Sequence, residues 1–368
     1  MRYAGICFYI AGDYDQALRD LTRCVRSNPK DAEALYWLGQ SHLKRKNPIA
    51  ALVAFEKILL DNPNSERAPD ALLAMAEAYR QEGNDLKAAQ ALEKFASEHP
   101  QNPQAPEALY RSAAILFQLK RYKEAGSLLK ICLKKYPNFP QSEDVRLLAG
   151  EIAFIQSDFQ KARSHFQAFL AVRPEGPRSS KAWYRLAWIA YKERDIEKAA
   201  QFALKALSNP DSEAAKMARY LLGLCRFEQK RWAEAQKYLV AYAEESSELP
   251  DKDAALLKAA AALRNLGKIK QAEELLKRLS SRVPKTQLLP ELLYEKAEIY
   301  RIQQNFKEAE RLLEKILSDF KDHKIVPYAL FTLGLVRFDQ GEFDKAYSTF
   351  HRISEAFPNS TIAGRALY

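Results

Sequence analysis

The chain of 368 residues carries 47% hydrophobic and 28% charged side chains with only 12 Gly and 17 Pro, a balance that describes a folded, helix-rich protein and excludes a disordered one. Lys and Arg number 57 against 47 Asp and Glu, and the net charge of +10 favours acidic partners at long range. No apolar run reaches the ~20 residues of a membrane-spanning helix, and the start, MRYAGICFYIAGDYD, lacks the charged n-region and cleavage site of an export signal.

The first element ends in the turn GDYDQAL at 12–18, and a near copy, GEFDKAY, stands at 341–347. The alanine five places after the glycine recurs in every interval between them: Ala17, Ala51, Ala88, Ala125, Ala162, Ala199, Ala235, Ala272, Ala309 and Ala346. Most steps are 37 residues. Four residues beyond each alanine is a second apolar slot (Leu21, Phe55, Leu92 and onward), and three further a third (Cys24, Ile58, Phe95). Spacings of four and three place all three slots on one stripe of a helix.

Prolines eleven or twelve residues past the alanine are expected to stop that helix: Pro29, Pro63, Pro100, Pro137, Pro174, Pro210, Pro284 and Pro358. The seventh unit delays its proline to Pro250, and the ninth reads DFKDHKI with none. Upstream of each turn lies a second helical segment, such as EALYWLGQSHL or PYALFTLGLVRF, with Pro69, Pro106, Pro290 and Pro327 marking helix starts. A small residue sits mid-segment, from Gly39 and Ala76 to Ala297 and Gly334, where it lets the partner helix come close.

Each unit is therefore helix, turn, helix, loop, and one such hairpin cannot cover both of its apolar faces without stacking on neighbours. The units run 1–30, 31–65, 66–102, 103–139, 140–176, 177–212, 213–250, 251–287, 288–324 and 325–360, and 361–368 begins an eleventh. With no composition break or linker, 1–368 is expected to be one all-α solenoid of about ten hairpins. Neither end carries a polar cap, so the sequence is expected to be an excerpt of a longer protein, with self-association through the ends as one consequence.

The small-residue slot, the G-x-[YFW] turn, the alanine and the closing proline resemble the tetratricopeptide repeat across the whole chain. The long period and the P-x-S-x-x-A pattern of PNSERAPDALL and PNSTIAGRALY are similar to bacterial cell-envelope members of that family, of the Tol-Pal-associated and outer-membrane assembly lipoprotein kinds. The resemblance implies a right-handed superhelix whose first helices line a concave groove for peptides or partner proteins. It also implies a periplasmic or outer-membrane-associated setting, with the cytoplasm as the alternative.

On the implied groove face, one slot holds Tyr36, Tyr110, Tyr184, Tyr220, Tyr294 and Phe331. A second, seven residues on, holds Phe117, Phe154, Tyr191, Phe227 and Phe338, and Trp188 lies between the two. The density peaks in units four to seven, where Lys181, Arg185 and Lys192 stand alongside. Such a trough suits a segment with apolar anchors and acidic or C-terminal carboxylate groups. Rings at helical spacing serve packing equally well.

Lys181 and Arg185 reproduce a fragment of the carboxylate clamp found in some members, but Leu148 and Leu221 stand where that clamp needs Asn. The groove slots are also too apolar for base-by-base RNA reading, although rings can stack on unpaired bases. No nucleotide, metallopeptidase or serine-hydrolase motif occurs, and the five His and four Cys show no ligand spacing. The four Cys read as members of apolar stripes. The expected function is a non-enzymatic protein-binding scaffold without cofactor or metal, with a self-assembling array as the alternative.

Overall fold

The computed structural model of the chain describes residues 1–245, 251–281 and 288–366; among these are twenty-one helices and no strand. The chain divides into two compact units, Met1–Pro174 and Glu175–Tyr368. The first unit contains five hairpins: α1 (Arg2–Ile10) with α2 (Tyr14–Ser27), α3 (Ala32–Lys44) with α4 (Pro48–Asp61), α5 (Ala68–Glu82) with α6 (Asp85–Glu98), α7 (Ala105–Gln118) with α8 (Tyr122–Lys135), and α9 (Ser142–Ile155) with α10 (Phe159–Val172). The second contains five more: α11 (Pro177–Lys192) with α12 (Ile196–Ala206), α13 (Glu213–Glu228) with α14 (Trp232–Glu245), α15 (Lys252–Asn265) with α16 (Ile269–Ser280), α17 (Leu289–Ile302) with α18 (Phe306–Asp319), and α19 (Val326–Asp339) with α20 (Phe343–Ala356). The short α21 (Ala363–Ala366) follows.

Each of the ten recurrent alanines is the fourth residue of the second helix of its hairpin, and none is more than 2% exposed. At such burial an alanine keeps the side chain small where the two helices meet. The residue four places on is the partner of the small residue in the first helix. Where the small residue is Gly39 or Gly150, the facing residue is Phe55 or Phe166, seated where a β-carbon would be. Where it is Ala76, Ala113, Ala260 or Ala297, the facing slot holds Leu92, Leu129, Leu276 or Leu313. In these hairpins volume lost on one helix is returned on the other, whereas Gly5 and Gly223 face Leu21 and Leu239.

The turns share one backbone device. The residue in the glycine slot has positive φ in all ten, and glycine occupies it only at Gly12, Gly83, Gly267 and Gly341. Lys46, Lys120, Ser157, Arg194, Lys230 and Gln304 take the left-handed conformation in the others. The next amide then reaches back to the helix it has left, as in Asp13 N–H to Phe8 O at 2.9 Å and Arg231 N–H to Arg226 O at 2.8 Å, closing a Schellman-type cap. Asp13, Asn47, Asn84, Asp158 and Asp195 each accept an amide of the following first turn and cap the second helix. A side chain with a β-carbon is strained at positive φ. Lys230→Gly is therefore expected to raise stability by about 0.5–1 kcal/mol, the relief of strain exceeding glycine's larger unfolded-state entropy. A urea titration reads it, and a loss of stability would show that Lys230 is unstrained.

The start prolines lie where expected: Pro69, Pro106, Pro290 and Pro327 each occupy the first turn of a helix. The stop prolines are less decisive than the sequence suggests. α18 ends at Asp319 without one, and its loop is held by His323 N–H to Phe320 O and Val326 N–H to His323 O, both 3.0 Å. The same stepped pair of bonds follows α4, α6, α8 and α20. The loop's own hydrogen bonding ends the helix, and proline is one way of meeting it. Pro250 and Pro284 lie outside the described residues. Cys132 and Cys225 are buried as expected of stripe residues and Cys24 is half-buried, but Cys7 is exposed.

Candidate functional site

Tyr110, Phe117 and Phe154 belong to the first unit, whereas Lys181, Tyr184, Arg185, Trp188, Tyr191, Lys192, Tyr220 and Phe227 belong to the second. The second aromatic slot has a packing role that the sequence left open. Its ring meets the aromatic residue that starts the next helix of the same hairpin: Phe117 on Tyr122 at 5.5 Å, Phe154 on Phe159 at 5.8 Å and Phe227 on Trp232 at 4.9 Å between centroids. These pairs close the turn end of each hairpin with edge or tilted contacts. On α11, Lys192 Nζ lies 4.3 Å from the Trp188 ring centroid and the Arg185 guanidinium lies 5.7 Å from that of Tyr184. Tyr184, Trp188 and Tyr191 pack half-buried against the core that α11 shares with α13. Lys181 is exposed at the start of this face.

Tyr220, Phe227 and Tyr294 of the aromatic slots are brought together with residues that were not singled out. A concavity of ≈ 470 Å³ in the second unit is lined by the first helices of four successive hairpins. Tyr220, Leu224 and Phe227 of α13 form one wall, and Tyr294 and Glu295 of α17 with Tyr328 of α19 form the other. The floor is α15, whose sequence KDAALLKAAAALRN presents Ala254, Leu257 and Ala261 to the opening. The dip exists because a helix of small side chains lies between helices bearing large ones. The α13 wall is braced from behind: Tyr220 stacks on the buried ring of Tyr242 at 5.1 Å, and Tyr242 donates its hydroxyl to Met217 Sδ at 3.7 Å. Burial pushes the Tyr220 hydroxyl up to about 12, so it stays a neutral donor.

Charges at the opening are mostly matched. Glu291 Oε1 lies 3.4 Å from Lys324 Nζ and 3.6 Å from His323 Nε2. Glu295 accepts from Arg264 Nε at 3.0 Å. Beneath it Glu298 lies 3.5 Å from Arg264 and 3.8 Å from Arg301, and accepts the Thr332 hydroxyl at 2.5 Å. Burial raises the Glu295 carboxyl above its usual range despite Arg264, and raises the Tyr294 hydroxyl too. Opposite charges are interspersed along these helices in the sequence, and nothing in that pattern marks these pairs as buried. Glu295, Glu298 and Arg301 flank the small-residue slot at Ala297, as Lys258 and Arg264 flank the one at Ala260. Among the described residues no cluster of His, Cys, Asp and Glu could hold a metal ion, and no helix is long and apolar enough to cross a membrane. The arrangement can grip apolar side chains and pair one or two charges.

Two sequence models described as tetratricopeptide repeat match this chain, one at residues 8–71, 73–142 and 147–216, the other at 217–246, 254–286 and 328–360. The chain belongs to the tetratricopeptide repeat family. Such repeats are protein-interaction modules, and the repeat family is generally non-catalytic. A comparison with curated protein sequences returns no match. Among solved structures, the C-terminal part of a tetratricopeptide repeat protein from Cytophaga hutchinsonii is similar at 18% identity, covering 69% of this chain and 98% of that one, with a TM-score of 0.51; this is a likeness of fold. A tetratricopeptide repeat protein from Parabacteroides merdae matches at 19% identity over 72% of this chain and 98% of its own, with a TM-score of 0.48. YrrB, described as a tetratricopeptide repeat protein with an unusual peptide-binding site, matches at 20% over 54% and 97%, with a TM-score of 0.44.

Proposed function

We propose that this protein is a binding scaffold whose second unit holds a segment of a partner protein in the concavity floored by α15. The observation that carries this reading is the alanine floor between aromatic walls, an apolar recess already formed and braced from behind. A preformed recess spares the scaffold the ordering cost of binding, so burial of the partner's side chains goes into affinity. Tyr184, Arg185, Trp188, Tyr191, Lys192 and Lys181 on α11 extend the contact surface in the same unit, and Tyr110, Phe117 and Phe154 are proposed contacts of the first. The long period and loop sequences support a cell-envelope process as its setting.

A photo-crosslinking residue in place of Leu257, on the floor, tests the reading in cells. It is expected to yield adducts with a different protein that are absent when the same residue replaces the exposed Leu204 of α12. Equal adducts at both positions would overturn the proposal, as would adducts to RNA. Adducts to a second copy of this chain would favour the self-assembling array instead.

A further inference from the structure

The recess has an uneven charge inventory. Its two lining carboxylates each face cations: Glu291 Oε1 lies near Lys324 and His323, while its buried Oε2 has no hydrogen-bond partner, and Glu295 accepts from Arg264. Lys258, on the floor helix, has no carboxylate at ion-pair distance among the described residues; its Nζ sits 4.4 Å from the centroid of the Phe227 ring. The ring face attracts the exposed ammonium group and fixes its place, with its N–H donors facing solvent and open to an incoming acceptor. Glu295 is the carboxyl whose charge Lys258 feels, and burial already works against that charge.

A cationic side chain entering here would meet Lys258 and Lys324, and Glu291 Oε2, which no hydrogen bond engages, is buried out of its reach. An anionic one would find a positioned ammonium above an aromatic ring. Resting on the scaffold reading above, we propose that the segment held in the recess carries an acidic side chain among apolar ones, and that Lys258 is the residue that selects it. The apolar groups fill the floor at Ala254, Leu257 and Ala261, which has room for roughly two or three bulky side chains. The acid pairs with Lys258 at the Phe227 wall. Placing the charge beside the apolar anchors fixes the direction in which the segment lies, as charge contacts set register and specificity more than raw affinity.

Fluorescein-labelled synthetic peptides with leucine and phenylalanine around a central glutamate test this by anisotropy with the full chain. Companion peptides carry glutamine or lysine at the centre. The glutamate peptide is expected to bind about tenfold more tightly than the glutamine one, and the lysine peptide more weakly still. Lys258→Met should abolish the glutamate–glutamine difference while keeping the apolar affinity, and Lys258→Glu should invert the order. Lys205→Glu on α12 makes the same change in net charge away from the recess and should leave the order intact. If Lys205→Glu acts as strongly as Lys258→Glu, or if the three peptides bind wild-type protein alike, the acidic selection is wrong. The scaffold reading has its own control: Ala254→Phe fills the recess and should abolish binding of every peptide. Binding that survives Ala254→Phe, or no binding of any peptide, would overturn both.

Discussion

Gly150→Ala is expected to lower the unfolding free energy by about 2 kcal/mol, although alanine is the better helix former by about 1 kcal/mol. A β-carbon at position 150 would stand 2.6 Å from Cε1 and 2.8 Å from Cδ1 of Phe166, closer than real β-carbons approach any atom. Phe166 is 0% exposed and its ring cannot move away, so overpacking outweighs the propensity gain. Phe166→Leu alone removes ring volume and is expected to cost about 1–2 kcal/mol through the space it leaves. Together the two substitutions recreate the alanine–leucine pair that the chain uses at Ala113 and Leu129, and the double variant should return close to wild type. The coupling, about 3–4 kcal/mol if both single losses are recovered, is the quantity to read from a double-mutant cycle in urea. Strictly additive losses would mean that the pairing of small and large residues across the hairpin is coincidental.

The same pairing explains what could be read from the sequence. Slots that repeat are legible: ten buried alanines, and in nine of the hairpins glycine or alanine against phenylalanine or leucine. These fixed the hairpins, their order and their register. Slots defined by backbone conformation were half legible. Gly12 and Gly83 announce positive φ, whereas Lys46, Lys120 and Arg194 adopt it because the hydrogen bonds of the turn impose it. The recess was the least legible feature. Attention to rings pointed at units four to seven, yet the opening lies where α15 lacks rings, and its walls come from units seven, nine and ten. A hollow is made by what a helix omits, and alanines there look like any other helix formers. Tyr220 and Phe227 were found because they happen to form one wall; Tyr328, Lys258 and Glu295 were not.

Arg264→Met is expected to cost about 3–5 kcal/mol, because Glu295 and Glu298 would keep their burial and lose the guanidinium between them. Their side chains are 13% and 9% exposed, so water cannot replace it. Glu295→Gln should behave in the opposite way. Burial holds the Glu295 carboxyl above the ordinary value of 4.5 even with Arg264 in place. Between 4.5 and that raised value the folded protein binds a proton that the unfolded chain has lost, so this group's contribution to stability falls as pH rises through the interval. Glutamine carries no such cost, and Arg264 keeps Glu298 at 3.5 Å. The variant should therefore be more stable than wild type at about pH 8, with the advantage shrinking toward about pH 5. In Arg264→Met the loss should likewise ease on acidification, as Glu295 takes up its proton. The double variant Arg264→Met with Glu295→Gln should recover part of the loss at neutral pH, because one of the two stranded charges is gone. Melting curves across that range decide the matter: a constant difference between Glu295→Gln and wild type would mean that the carboxylate is already well solvated, and that the floor beneath the recess holds ordinary surface ion pairs.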